Sequence, residues 1–332
     1  MKKVEAILDN ILIGNSFILS YQLGIFDLLY NEKTGLSIHE LSQKLNIKLR
    51  PLQALISVSS CLELTIYKNN KFYLTDFAIK CLFTKGEEYY RDVLDLILEN
   101  QEILSLSSLN KIVLENNYSS NKHNSSSLFI DTILEEERAK KFVHSMNNKS
   151  LYPAKAIANI IELNQYSTLL DIGGCSGIFA YEFCKRFTNL RSIIMDLPNI
   201  CRIIEHEYKD HFNSQINIFH GNMWYDDYPS ADVHFYSDIL HDWSREKNMF
   251  LLDKTYRSLP LNGKIVINEK LLNNDKTGPI ESVVYNLKML LWTEGHQYSQ
   301  DELHEMLKST GFKNVTTINY YKTWYVTEGY KI

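Results

Sequence analysis

From residue 166 onward the chain alternates short apolar runs with amphipathic stretches. Ser167–Ile172, Arg191–Met195, Ile216–His220, Val233–Ser237 and Lys264–Asn268 read as strands. Behind the first of them Phe179, Phe183 and Phe187 recur at helical spacing. A helix over Gln300–Ser309 precedes two more strands, Val315–Tyr320 and Thr323–Gly329, joined at Tyr321-Lys322. Such alternation predicts an α/β fold, a parallel sheet with helices on both faces and the closing hairpin as an antiparallel edge.

The first half is patterned differently. Residues 1–30 read as one apolar helix in which Ile7, Ile11, Phe17, Ile18, Tyr21 and Phe26 cover more than one face. A helix apolar nearly all round is deep core or a subunit interface. Ser37-Ile38-His39-Glu40 is a capping box that opens a helix over Ile38–Leu45. Pro51 fits the first turn of a second helix, ending near Leu62. Two short strands follow, Leu64–Tyr67 and Lys71–Leu74, and Thr75-Asp76 caps another helix. Helix, helix, hairpin is a winged-helix pattern, which often binds DNA through a basic recognition helix. Here the second helix carries no Lys or Arg after Arg50, so dimerisation or a lid role is the better reading. Residues 84–165 read as largely helical, broken by a polar loop over Asn116–Ser127; Glu135–Lys141 is a charged, solvent-facing helix segment.

Composition narrows the class. The 332 residues suffice for one large or two ordinary domains, with 45% hydrophobic and 23% charged residues. The net charge of −5 and the lack of long basic runs argue against a nucleic-acid surface. Five cysteines without a C-x-x-C pair suggest reduced thiols and a cytoplasmic protein. The N-terminus shows no signal-peptide pattern, and no uncharged run is long enough to span a membrane.

Candidate chemistry sits where the predicted strands end. The first strand runs into Asp171-Ile-Gly-Gly-Cys-Ser-Gly177 and then a helix. That spacing is neither the dinucleotide fingerprint nor a P-loop. Glycines at 173, 174 and 177 let backbone approach a ligand closely, and Asp171 suits a cationic group rather than a phosphate. The second strand ends in Asp196-Leu197-Pro198, placing an acid where it takes both ribose hydroxyls. The third ends in Gly221-Asn222-Met223, an amide and a thioether suited to reading and covering an adenine. A ligand with adenosine, no phosphate and a cationic tail is S-adenosylmethionine.

These stretches, with His241-Asp-Trp-Ser244 and Leu259-Pro-Leu-Asn-Gly-Lys-Ile-Val-Ile-Asn-Glu269, resemble the small-molecule O-methyltransferases typified by plant caffeic acid O-methyltransferase and animal acetylserotonin O-methyltransferase. The likeness spans nearly the whole chain. It extends to Leu23-Gly-Ile-Phe-Asp-Leu-Leu29 and Tyr73-Leu-Thr75, which fit the family's winged-helix dimerisation domain. The resemblance implies a class I methyltransferase, Rossmann-like sheet over residues 161–332, a helical linker or substrate lid over 101–160, and a homodimer formed through residues 1–100. It implies that Gly173, Asp196, Asn222 and Met223 hold the cofactor, in a set completed by Asp171, Gly174, Gly177, Leu197 and Ser237. Two positions depart from the family: Asn222 stands where Asp is usual, and Ser237 where plant enzymes carry Lys.

Methyl transfer to a hydroxyl needs alignment of the acceptor and a base for its proton. On the family's motif His241, with a pKa near neutrality, becomes that base. Glu269 becomes the carboxylate that orients it. The second orienting carboxylate of the plant enzymes falls on Gln297, which carries no charge; Glu294, nearby, is a substitute. That gap opens an alternative, metal-assisted C-methylation of a 2-oxo acid, with His241, Asp242 and His296 as ligands. A third reading is a winged-helix regulator with a cofactor-sensing domain. Phe142, Met146, Met289 and Trp292 are candidates for the acceptor pocket.

Overall fold

The computed structural model describes residues 2–86, 88–102, 104–115 and 135–332. The expected polar loop at 116–127 lies outside them. The chain divides after Asn100 into two compact units.

In the first unit the apolar stretch at the N-terminus forms two helices, Lys2–Gln22 and Ile25–Asn31. The single helix expected over 1–30 is broken at Gly24, whose φ of 74° is left-handed. Val4, Ile7, Leu8, Ile11 and Leu12 of the first helix are each more than half exposed, so this face is not core within the chain. The helix Ile38–Leu45 carries the expected capping box, with Ser37 Oγ accepting from the Glu40 N–H and Glu40 Oε2 accepting from the Ser37 N–H. A helix Leu49–Cys61 follows, then β1 (Thr65–Lys68) and β2 (Lys71–Leu74), which pair antiparallel, and a helix Asp76–Phe83 capped by Thr75. The unit closes with Arg91–Glu99, tied back by Arg91–Asp27 at 2.8 Å. Among the described residues no single helix is long and apolar enough to cross a membrane; the bent pair Lys3–Gln22 and Ile25–Asn31 reaches that composition only across a 51° break.

The second unit is built on seven strands: β3 (Thr168–Ile172), β4 (Arg191–Asp196), β5 (Ile216–His220), β6 (Val233–Ser237), β7 (Lys264–Lys270), β8 (Lys313–Tyr321) and β9 (Trp324–Tyr330). Their order is β5-β4-β3-β6-β7-β9-β8. The first five are parallel; β9 runs antiparallel to β7 and pairs with β8 as the expected hairpin. Parallel strands buried on both faces read as continuous apolar runs, and here adjacent residues serve opposite layers. Leu170, Ile172 and Ile267 face one core with Leu303, Met306 and Phe312. Leu169, Val233 and Val266 face the other with Phe179, Phe183 and Phe187, the aromatic spacing seen in the sequence.

Three helices precede or flank this sheet in ways that matter below. Leu106–Glu115 opens the unit, and Glu136–Ile160 packs Ala154, Ile157 and Ala158 into the core beside β3. Its charged N-terminal turn carries the exposed pairs Lys140–Glu136 and Lys140–Glu137. Ile280–Trp292 lies between β7 and the final helix, Gln300–Thr310. Chain order reverses between β3 and β6, so the loops leaving their C-terminal ends run apart. An open crevice at such a switch point is where α/β folds hold ligands.

Candidate active site

Asp171 is the penultimate residue of β3 and is almost fully buried; its Oδ2 finds no hydrogen-bond partner. A Cβ on Gly174 would lie 2.8 Å from the Asp171 carboxyl carbon, so only glycine lets the loop fold down over that acid. Burial, reinforced by the nearby Asp196, raises the Asp171 pKa to about 8. Asp196 ends β4. Its two oxygens accept from the Cys175 N–H at 2.9 Å and the Leu197 N–H at 2.7 Å. Burial still raises it, to about 6, against the pull of those bonds.

A cavity of about 320 Å³ opens above these strand ends. Of the residues expected to hold the cofactor, Asp171, Gly173 and Gly174 line it from β3, Asp196 and Leu197 from β4, Asn222 and Met223 beyond β5, and Ser237 from β6. Gly177 instead starts the helix Ile178–Arg186, where a Cβ would strike Ile194 at 2.4 Å. Asn222 Oδ1 accepts from the Trp224 N–H at 2.9 Å, and its backbone N–H donates to Asp226. Phe142 and Met146 open onto this same cavity from the helix Glu136–Ile160, whereas Met289 and Trp292 are not in its wall. An acid with an unpaired oxygen, close-packed glycines and a second acid at the ribose position fit an adenosyl group with a cationic tail.

Beside the cavity, β6 runs into a short turn, Leu240–Asp242, that supplies Asp242 and Trp243 to the wall. The turn is built around Glu269, near the end of β7. Glu269 Oε1 accepts from the N–H groups of Ile239, Leu240 and His241 at 3.1, 2.9 and 3.4 Å. Its Oε2 lies 2.6 Å from His241 Nδ1. A carboxylate only accepts, so Nδ1 carries the proton and the neutral ring keeps its lone pair at Nε2. Nε2 is 3.5 Å from Asp242 Oδ1. Burial pushes the imidazole down, but the charges of Glu269 and Asp242 and the Glu269 hydrogen bond outweigh it and raise the pKa to about 9. The near-neutral histidine expected from the sequence is thus replaced by one that holds its proton more firmly. Asp242 itself is raised to about 7, by burial first.

Several supports were not visible in the sequence. Asn248, fully buried, donates to the carbonyls of Leu240 at 2.7 Å and Trp243 at 3.2 Å, and to Tyr298 Oη at 2.8 Å. Gly295 packs directly on the turn; a Cβ there would sit 2.2 Å from the His241 carbonyl oxygen and 2.5 Å from the Trp243 nitrogen. Lys149 pairs with Asp238 at 2.6 Å and bonds Tyr285 Oη. Helical spacing could have pointed to Lys149, since it lies one turn beyond Met146 on the face that carries Phe142.

The two-histidine, one-carboxylate metal set is not assembled. Among the described residues the group able to converge on an ion near the turn is Asp238, His241 and Glu269. His296 stacks on Tyr298 at 4.4 Å instead. Glu294 is taken by the Ser244 N–H and Lys247, and so does not replace a second orienting carboxylate. Gln297 is fully buried with neither side-chain atom bonded, and only its backbone N–H is used, by Asn286. The carboxylates near the imidazole besides Glu269 are Asp242 and Asp238.

The family model of the O-methyltransferase domain matches residues 107–313, and the chain belongs to this family, whose methyl donor is S-adenosylmethionine. Acetylserotonin O-methyltransferase of Gallus gallus is 25% identical over 313 residues, spanning 92% of this chain and 90% of that protein. The 3-hydroxy-5-methyl-1-naphthoate 3-O-methyltransferase of Streptomyces sahachiroi is 28% identical over 188 residues, 56% of this chain and 55% of the relative, so about half of that relative is matched. In fold, the chain agrees with the human N-acetylserotonin methyltransferase solved in complex with its donor, at a TM-score of 0.88 and 20% identity over 99% of this chain and 97% of that one. Metal-assisted C-methylation finds no support in these likenesses or in the geometry.

Replacing Gly295 tests whether the turn's position matters. Gly295→Ala should displace the His241 backbone and lower turnover by about 10²-fold, the cost of a misplaced catalytic group. Donor affinity, measured by calorimetry, should fall much less. Turnover near that of the parent would show that the contact is dispensable.

Proposed function

We propose that this methyltransferase acts on a hydroxyl of a small molecule, with His241 as general base. The observation that carries the reading is the Glu269–His241 pair at 2.6 Å on a turn that walls the donor cavity. The donor supplies an electrophilic methyl group on a sulfonium. Nε2 of His241 takes the acceptor's proton as its oxygen attacks, and Glu269 balances the imidazolium so formed. Asp171 meets the donor's cationic tail, Asp196 its ribose hydroxyls, and the Asn222 amide and Met223 thioether its adenine. Gly173, Gly174, Gly177, Leu197 and Ser237 shape the same site. Gln297 fills the wall without charge, and Met289 and Trp292, with Phe142 and Met146, border the acceptor. Residues 101–160 close over it.

We further read the protein as a cytoplasmic homodimer joined through the N-terminal unit, residues 1–100. Support comes from the exposed apolar face of the first helix and from five cysteines that are all unpaired.

With methyl-labelled donor and a panel of phenols and hydroxyaryl acids, the enzyme should transfer label to oxygen. His241→Ala should slow this about 10²–10⁴-fold, the usual worth of a general base, and leave donor affinity within a few-fold. Unimpaired transfer in that variant removes His241 from the mechanism. Since the ring works only when neutral, kcat/KM should climb with pH through a limb near 9. Glu269→Gln should shift that limb to lower pH and slow turnover.

Donor binding should depend on pH in its own way. Asp171 is largely protonated below about 8 in the free protein, and a cation favours its ionised form. Donor affinity should therefore rise with pH toward about 8 and level off above. Asp171→Asn should weaken binding and flatten the profile; an unchanged profile would assign the cationic tail elsewhere.

For assembly, sedimentation should give a dimer for the parent and a monomer for the double variant Leu8→Asp, Leu12→Asp. A parent that sediments as a monomer would end the dimer reading.

A further inference from the structure

Next to His241, away from the acids that face the donor, lies an excess of positive charge. Lys149, Lys270 and Lys288 come together from three elements: the helix Glu136–Ile160, the end of β7 and the helix Ile280–Trp292. Two of them straddle the same aromatic pair. Lys149 Nζ lies 4.3 Å from the Tyr285 ring centre and 5.6 Å from that of Trp324. Lys270 Nζ lies 4.4 Å and 5.1 Å from the same two rings. The rings hold the ammonium groups in place but do not neutralise them.

The carboxylates do not match this charge. Asp238 pairs with Lys149 and is held below the usual carboxylate range despite its burial, by Lys149 and then His241. It adopts a left-handed φ of 53°, a conformation uncommon outside glycine, which the fold maintains at this point. Glu269 is taken up by His241 and three backbone N–H groups. That leaves the Lys270 ammonium with no hydrogen bond and no ion pair among the described residues, although it is mostly buried. Burial and the charge of Lys149 push its pKa down to about 8, and Lys288 is lowered for the same two reasons. A buried, unpaired ammonium is costly until an anion joins it.

We propose that Lys270, with Lys149 beside it, forms a subsite for an anionic group on the acceptor, so that the preferred acceptors are hydroxyaryl carboxylates. The inference rests on the hydroxyl-transfer reading above and adds the acceptor's second functional group. Tyr285 sets the spacing: its ring is 5.5 Å from that of His241, edge-on, and 4.4 Å from Lys270 Nζ. An aromatic acceptor whose hydroxyl meets His241 thus presents a carboxylate on the same or the adjoining ring to Lys270. The carboxylate accepts hydrogen bonds from the two ammonium groups and undergoes no chemistry itself. It selects the acceptor and fixes which hydroxyl faces the base.

The test compares hydroxybenzoates and hydroxynaphthoates with their carboxamides, titrated by calorimetry into the full-length protein saturated with S-adenosylhomocysteine. Carboxylates should bind at least about tenfold more tightly than the matching amides, the scale of one charge-assisted hydrogen bond. Lys270→Met should remove most of that preference, whereas Lys270→Arg should keep it. Equal binding of acids and amides by the parent protein, or no saturable binding of any acid up to millimolar concentration, overturns the proposal. So does a preference untouched in Lys270→Met, provided that variant keeps the parent's donor affinity and melting temperature. Should Lys270→Met unfold, Lys270→Gln reads the same difference. The hydroxyl-transfer reading is tested separately by methyl transfer: a carboxylate preference without label on oxygen would leave the anion subsite standing and remove the O-methylation.

Discussion

One carboxylate sets the geometry of the reactive centre. Glu269 accepts three backbone N–H groups of the turn after β6 and the Nδ1 proton of His241. A single side chain therefore fixes the turn's backbone, the ring's orientation and its tautomer. It does so from the interior of the sheet, where β7 is paired on one side with β6 and on the other with β9. Side chains alternate between faces along a strand, so a slip of one residue in β7 would turn Glu269 away and bring Asn268 or Lys270 into its place. The long hairpin β8–β9 thus has a role in catalysis although it contributes no reacting group. Pairing Glu269 with Tyr325 and Lys270 with Trp324, it holds the end of β7 in register.

Charge is arranged around this centre by side. Toward the donor, Asp171, Asp196 and Asp242 are all raised by burial, a configuration unfavourable in isolation and relieved by a cation. Toward Tyr285 the imbalance has the opposite sign, with Lys270 and Lys288 lowered. His241 sits at the boundary. Two substrates with opposite charges would each meet the half of the site that lacks its counterion, which limits the orientations in which they can bind together.

Much of this was legible in the sequence because it depends on local pattern. Continuous apolar runs marked all the parallel strands, and the polar closure at Tyr321-Lys322 marked the hairpin. The acids Asp171 and Asp196 were found because strand ends bounded by glycine or proline are recognisable in one dimension. The break at Gly24 was missed because the apolar pattern runs on through it, and only the left-handed φ interrupts the helix. Asn248 and Gly295 were missed for a different reason. They act on the catalytic turn through backbone contacts, and Gly295 does so across some fifty positions of sequence, the same separation as Ser244 and Glu294. No periodicity records such a contact. The sequence also misjudged the state of His241, since residue type alone suggests a neutral ring and only the three-dimensional crowd of carboxylates raises it.

That raised basicity has a consequence for the order in which the site becomes competent. An imidazole near 9 binds the acceptor's proton strongly, but at neutral pH it already carries one. The groups that hold this proton are Glu269 and Asp242, and Asp242 also walls the donor cavity. Positive charge in that cavity opposes the imidazolium and favours ionised Asp242 and Asp171, so proton affinity at the base is coupled to occupancy of the neighbouring space. Glu269, bonded to three N–H groups and distant from the wall, is not free to follow. The division of labour follows from their positions: Glu269 keeps the ring oriented at all times, and Asp242 adjusts its proton affinity to what the cavity contains.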